Sequence, residues 1–413
     1  MKIRFLLMNA FAVGGTIRTT FTTAEQLAQR HDVEIMSVYR RRADTALPVP
    51  KGVKLSFLAD LRKDEVADLP RLQRWLAEQP TRLMSTNDFR HPNFNLLTDV
   101  RMLRYILAAR DGVLIGTRPS INLAVALLAA PSVVRVGQDH MNLSTYNDAL
   151  KGQISSIYPR LDLVSTLTEG DADHYRRRLQ GRTRVECMPN GVPDVGGNRA
   201  GLDAKVVVAA GRLGPQKGFD RLLPAWAQVA DEHPGWQLKI FGSGHAMKPL
   251  RRQIRKLGIE DSAQMMGFTP NLHEEMANAS LYVMSSRKEG FPMVLLEAMA
   301  VGLPVVSFDC PTGPRDIIRE GVDGHVVPDG DAGALAAAMG SLMADAERRK
   351  AYGAAAVEGA ARYDVAKIAR RWETLFEEAA ATKGPEDRAG MQPALEQITQ
   401  IAAGRARRRL RSR

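Results

Sequence analysis

Leu281-Tyr-Val-Met-Ser-Ser-Arg-Lys-Glu-Gly-Phe-Pro-Met-Val-Leu-Leu-Glu297 begins as an apolar run and ends as a helix. Leu281–Met284 reads as a buried strand, and Met293 to Val301 reads as a helix with Pro292 suited to its first turn. Glu289 then lies on the connecting loop and Glu297 just over a turn inside the helix. The start of the helix carries roughly half a positive charge, with the backbone N–H groups of Met293, Val294 and Leu295 pointing outward, a ready site for phosphate. The same residues read equally well as an ordinary connection bearing two exposed glutamates.

Strand and helix alternate outward from this unit in both directions, the sign of parallel sheets covered on both faces. In the first half the expected strands are Ile3–Met8, Val33–Val38, Lys54–Leu58, Gly112–Ile115, Val133–Val136, Leu161–Thr166 and Arg184–Cys187. Helices are expected at Ile17–Arg30, Asn95–Arg110, Ser120–Ala129 and Gly170–Leu179. Residues 60–94, rich in charge and proline, break the pattern and read as an excursion with a helix at Leu69–Glu78, placed to line an acceptor site. The alternation restarts at Val206–Ala209, Leu238–Phe241, Ala263–Met266, Leu281–Met284, Val305–Phe308 and His325–Val327. This organisation predicts an α/β protein of two Rossmann-like, doubly wound domains facing a central cleft, with strand carboxyl ends toward it. The expected divisions are an N-terminal domain at 1–190, a glycine-rich linker at 191–203, a C-terminal domain at 204–364, a helix at 365–382 crossing back to the first domain, and a tail at 383–413.

A second segment, Lys205-Val-Val-Val-Ala-Ala-Gly-Arg-Leu-Gly-Pro-Gln-Lys-Gly-Phe219, is a β-branched strand followed by a basic loop. Arg212 and Lys217 on one tight loop suit a diphosphate: guanidinium binds bidentately and ammonium adds a point charge. Alternatively the loop is a solvated turn. Together the two segments resemble the retaining glycosyltransferases of family 4, which have the GT-B fold. Glu289 and Glu297 match the E-x7-E motif of that family, and Gly211, Arg212, Lys217 and Gly218 match its G-R-x-x-x-x-K-G segment. Met188-Pro-Asn-Gly-Val192, Phe241-Gly-Ser-Gly244, Ala298-Met-Ala-Val-Gly-Leu-Pro304 and Glu320-Gly-Val-Asp-Gly324 follow in the expected order. The resemblance spans about residues 1–380 and is denser in the second half.

The resemblance implies transfer of a hexosyl unit, with retention, from an NDP-sugar, expected to be UDP-linked, to a hydroxyl of a glycan, envelope polymer or lipid-linked acceptor. It places the donor in the second domain and the acceptor in the first. Arg212 and Lys217 are the expected diphosphate clamp, Glu297 the acceptor of ribose hydrogen bonds and Glu289 the partner of the sugar hydroxyls. Gly14 and Gly15 follow the first strand: they either let a ligand approach the backbone or serve a turn with positive φ, and the resemblance favours Gly15 at the donor phosphate, with Thr16 and Arg18 beside it. Gly242 and Gly244 are expected in a nucleotide-facing turn. A lone histidine is usually structural, but the resemblance sets His140 toward the transferred sugar, with Asp139 and Asn142 offered to an acceptor. The catalytic candidates are thus Glu289, His140, Arg212 and Lys217, with no dedicated nucleophile. Asp309-Cys-Pro-Thr-Gly-Pro-Arg-Asp-Ile317 resembles a segment of polymer-modifying bacterial members. An NDP-sugar epimerase of the same fold, and a non-catalytic protein binding anionic surfaces or nucleic acid, are the alternatives.

Asp171 and Asp173 form a D-x-D pair but stand at an expected helix start, where acids favour the dipole, so no metal and no other cofactor are expected. Two cysteines, Cys187 and Cys310, are too few for a disulfide framework. No apolar run reaches the ~20 residues of a membrane span, and the first residues read as a strand, not a signal peptide. Net charge is +11, of which six charges come from Arg405, Arg407, Arg408, Arg409, Arg411 and Arg413. The expected location is the cytoplasm, peripheral to the inner membrane face if the arginine-rich tail meets anionic lipid; nucleic acid is not expected as a partner.

Overall fold

The computed structural model describes residues 1–383. The arginine-rich tail, most of the loop expected at 381–394 and the helix expected near 394–403 lie outside the described residues. The chain forms two compact units, one of Met1–Met188 with the chain from Ile368 onward, the other of Pro189–Lys367.

The first unit is built on strands β1 (Lys2–Leu7), β2 (Asp32–Arg40), β3 (Val53–Asp60), β4 (Val113–Gly116), β5 (Val134–Gln138), β6 (Leu163–Thr166) and β7 (Arg184–Cys187), in the order β3-β2-β1-β4-β5-β6-β7. The pairings are parallel. Alternate residues of each strand supply two cores. Leu6, Val38, Leu114 and Val164 face one layer, with Ile121, Ile154 and Tyr175; Ile3, Phe5, Ile35, Ile115 and Val136 face the other, with Ile17 and Phe21. The helix Val365–Ala381 covers this second core through Ile368, Trp372, Leu375 and Phe376. Trp372 and Phe376 stack with ring centroids 5.3 Å apart, so their four-residue spacing marks a packed face. A helix at Asp148–Ile157, capped by the Asn147 side chain, was not visible in the apolar pattern. The excursion contains two short helices, Lys63–Ala67 and Arg71–Glu78.

In the second unit β8 (Val206–Ala210), β9 (Gln237–Phe241), β10 (Ala263–Gly267), β11 (Leu281–Met284), β12 (Val305–Phe308) and β13 (Gly324–Val327) run parallel in the order β10-β9-β8-β11-β12-β13. Residues 191–203, read as a linker, belong to this unit and are anchored in it. The Val192 N–H donates to Tyr363 O at 2.7 Å, and a Cβ on Gly191 would lie 2.7 Å from the Val365 Cα. Close packing explains that glycine, not flexibility.

Both sheets reverse direction once, between β1 and β4 and between β8 and β11. At such a switch point the flanking loops diverge and leave a crevice at the strand carboxyl ends, where doubly wound sheets take their ligands. Among the described residues no helix is long and apolar enough to cross a membrane.

Candidate functional site

The switch point of the second unit lies between the loop after β8, residues 211–218, and the loop after β11, residues 285–292. Hydrogen bonds stitch the two together: the Arg287 N–H donates to Gln216 O at 2.8 Å and the Gln216 side-chain Nε2 to Lys288 O at 3.1 Å. The Ser285 hydroxyl donates to Lys217 O at 3.0 Å, and Arg287 pairs with Asp220 at 2.6 Å. Gly218 makes this contact possible. It sits at φ 64°, and a Cβ there would lie 2.0 Å from Ser285 O.

On this scaffold Lys217 Nζ lies 2.7 Å from Glu289 Oε1. Glu289 is only 7% exposed and also accepts from the Ser286 hydroxyl. The aliphatic stem of Lys217 runs over Gly211, where a Cβ would sit 3.1 Å from its Cε. Arg212 is exposed and forms no ion pair among the described residues. The segment Asp309–Ile317 holds the glutamate from behind: the Thr312 hydroxyl donates to Glu289 O at 2.6 Å, and a Cβ on Gly313 would strike Pro292 at 2.5 Å. Buried Cys310 lies close enough that Glu289, after burial itself, pushes its thiol up to about 12.

The helix Met293–Val301 has Pro292 as its N-cap, one residue earlier than expected, with no side-chain cap and no acid in its first turn. Its end is less open than the sequence suggests. The Met293 N–H donates to Phe291 O and the Leu295 N–H to Pro292 O, so of the three expected donors only Val294 has no turn bond among the described residues. Glu297 is fully buried and lies 3.3 Å from His273 Nε2, a partner with no sign in the local sequence. The charges of both glutamates act on the buried Tyr282 hydroxyl: after burial, they raise its pKa.

Gly242 and Gly244 have a packing reason. Cβ atoms there would meet Gly211 O at 1.9 Å and Leu213 O at 2.3 Å, so the turn buttresses the basic loop by backbone contact. In the first unit Gly14 is extended backbone at φ 174° and neither it nor Gly15 lies in the left-handed region, which removes the strained-turn explanation, and a Cβ on Gly15 would meet nothing within 4 Å. Thr16 and Arg18 follow in the first turn of the helix Gly15–Leu27.

His140 follows β5. Burial pushes its pKa down to about 4, so the imidazole is neutral at pH 7, and its Nε2 has no hydrogen-bond partner among the described residues. Asp139 does not face an acceptor as expected. It is buried and accepts hydrogen bonds from Tyr146 at 2.7 Å, from Tyr158 at 3.3 Å and from Tyr175. Asn142 is buried as well. Asp171 and Asp173 diverge. Asp171 is buried and accepts from the Leu143 N–H at 2.9 Å, while exposed Asp173 pairs with Arg176 at 2.8 Å.

The family model of glycosyl transferases group 1 matches residues 196–358, the part that carries both stitched loops. Amylovoran biosynthesis glycosyltransferase AmsD of Erwinia amylovora is 30% identical over 288 residues, 66% of this chain and 80% of that one. The chain belongs to the group 1 glycosyltransferases. An exopolysaccharide phosphotransferase of Streptomyces coelicolor is 37% identical over 386 residues, 92% of this chain but only 41% of that relative, so the chain spans less than half of its length. Among solved structures, HepE of Anabaena in complex with UDP and glucose matches with a TM-score of 0.70 at 17% identity, covering 92% of this chain and all of that one. A TarM structure from S. aureus in complex with UDP matches at 0.72 and 14%, covering 91% and 99%. These likenesses give the fold of this glycosyltransferase, two parallel-sheet Rossmann-like domains of the GT-B type.

Proposed function

We propose that this glycosyltransferase moves a hexosyl unit from a UDP-sugar to a hydroxyl of an envelope polysaccharide or related polymer, with retention of configuration. The observation that carries this reading is the Lys217–Glu289 pair on two loops stitched at a switch point, beside an exposed Arg212 with no ion pair among the described residues and a helix start with no side-chain cap among them. Two cations for one buried carboxylate leave positive charge for a diphosphate. Relatives named for work on amylovoran and exopolysaccharide, and neighbours holding UDP, support the substrate classes.

Lys217 has three donors, so it holds Glu289 and a phosphate oxygen together. Arg212 and the Val294 N–H complete the anion site and take the place of a metal. Glu289, fixed by Lys217 and Ser286, accepts from the sugar hydroxyls. Glu297 serves the ribose with His273 beside it; having no exposed surface, it is reached only when donor binding shifts the side chains above it. Neutral His140 is offered to a substrate hydroxyl in the first unit. As the bond from C1 to the β-phosphate oxygen breaks, the acceptor oxygen bonds C1 from the same face and its proton passes to the departing phosphate. Charge grows on that phosphate, and cations already aimed there lower the barrier.

Incubation of the chain with single UDP- and other NDP-sugars, following nucleoside diphosphate and free sugar, tests the reading. Release of UDP with the unaltered sugar, raised by a polymer acceptor, is expected. Release of an epimerised sugar without acceptor would establish the epimerase instead, and absence of turnover with every donor would leave a binding protein.

A further inference from the structure

The switch point of the first unit holds an arrangement of its own. Arg118 follows β4, Tyr39 stands near the carboxyl end of β2, and Phe89 and Arg90 come from the excursion between β3 and β4. The guanidinium carbons of Arg90 and Arg118 lie 5.0 and 5.6 Å from the Phe89 ring centre, and that of Arg41 lies 5.3 Å from the Tyr39 ring. Arg118 also reaches Met8 Sδ, after β1, at 3.4 Å. The charges of all three arginines act on the buried Tyr39 hydroxyl and oppose the rise that burial causes.

The charge is not balanced. Asp88 pairs with Arg118 at 2.7 Å and is held in place by the Ser120 hydroxyl and the Arg90 N–H. Arg41 and Arg90 are exposed and form no ion pair among the described residues. Three guanidiniums against the one carboxylate of Asp88 leave like charges that repel, and an anion relieves that repulsion. Phe89, beside two of these guanidiniums, is 60% exposed, apolar surface of the kind on which a sugar ring rests. Guanidinium forks match the oxygen geometry of phosphate.

We propose that Arg41, Arg90 and Arg118 form an anion subsite for a phosphate group carried by the sugar acceptor, with Phe89 against the neighbouring ring. This rests on the reading of the chain as a glycosyltransferase and gives its acceptor a chemical class: a phosphate-bearing saccharide.

Calorimetry on the full chain saturated with UDP, which fills the diphosphate site of the second unit, tests it with glucose 6-phosphate against glucose. The phosphate ester should bind at least tenfold more tightly. The double variant Arg41→Ala/Arg90→Ala, neither residue holding an ion pair among the described residues, should lose that difference and keep its affinity for UDP. Vesicles of phosphatidylglycerol in phosphatidylcholine form a second arm. Binding of the ester lost in the double variant assigns a soluble phosphate, and loss of vesicle binding alone assigns a lipid-borne one. Ester and vesicle binding both unchanged in the double variant, with UDP still bound, overturns the subsite and leaves the donor reading standing. Failure of the wild-type chain to bind UDP strikes the donor reading itself.

Discussion

The two units share one plan, a parallel sheet with a single switch point, yet they present charge there differently. In the second unit the candidate site is made by residues 211–218 and 285–297, two stretches continuous in sequence and bonded to each other. In the first, the arginines come from positions 41, 90 and 118, carried on three separate connections. A loop that makes its own site leaves a motif; a site gathered from distant loops leaves only scattered residues. The buried carboxylates differ in the same way. Glu297 lies beside His273, 24 residues earlier in the chain, whereas Asp139 collects three tyrosines from the helices and loops that follow it.

The sharpest break in this comparison comes from the second unit. Lys217→Ala and Arg212→Ala should each lower turnover by roughly 10²- to 10³-fold at saturating donor, the scale for losing one preorganised electrostatic donor. Lys217→Ala should also release Glu289 from its ion pair, so its loss of sugar selectivity should exceed that of Arg212→Ala. Turnover within threefold of wild type for both variants would remove the clamp.

The first unit answers to pH. Burial pushes Asp139 up to about 6 in spite of its three tyrosine donors, and Asp171, raised by burial and by Asp139, up to about 7. A raised carboxyl binds its proton more tightly folded than unfolded. Its contribution is therefore fully present below the unfolded value of ~3.9 and is lost as pH rises through about 6. Comparison of wild type with Asp139→Asn by denaturant unfolding from pH 4 to pH 8 should show the gap between them falling by at most about 3 kcal/mol, toward or past zero. A constant gap across that range would show that no buried charge forms at 139.

Glu289→Gln and Glu297→Gln measure how far two residues of one motif diverge. Glu289 stands in the ion pair with Lys217 and should lower turnover and sugar selectivity. Glu297 lies inside the helix beside His273 and should weaken donor and free UDP alike, by roughly tenfold, the lower range for one charge-assisted hydrogen bond. Unchanged UDP affinity in Glu297→Gln would dissolve the distinction.

How much of this was legible follows from range. The thirteen strands were readable because each is a short apolar run between polar connections, and their ends moved by at most two residues. The two segments that carry Arg212, Lys217 and the two glutamates were readable because each is local. The Lys217–Glu289 contact spans 72 residues and needed the β8–β11 pairing to appear. Nothing in the residues around 273 announced a partner for Glu297. Gly242 and Gly244 looked like ligand glycines because sequence cannot tell a backbone approached by phosphate from one approached by Leu213 O. Asp139 looked available because its tyrosines lie 7, 19 and 36 residues away.

The smallest expected effect is that of a chelator. A divalent metal bound by Asp171 and Asp173 needs both carboxylates ionised and converging on one point. Two residues apart on a helix, they project to nearly opposite sides. One is buried against the Leu143 N–H with its pKa raised to about 7, which leaves it about half protonated at neutral pH; the other is exposed on Arg176. Among the described residues no cluster of three or more histidine, cysteine, aspartate or glutamate side chains is spaced to hold an ion. In the proposed reading Lys217 and Arg212 supply, in the second unit, the positive charge a metal would bring. EDTA should therefore leave turnover with a UDP-sugar unchanged. Activity lost on chelation, restored by Mn²⁺ or Mg²⁺ and abolished again in Asp171→Asn, would move the charge-neutralising role from the second unit to the first and invert the comparison.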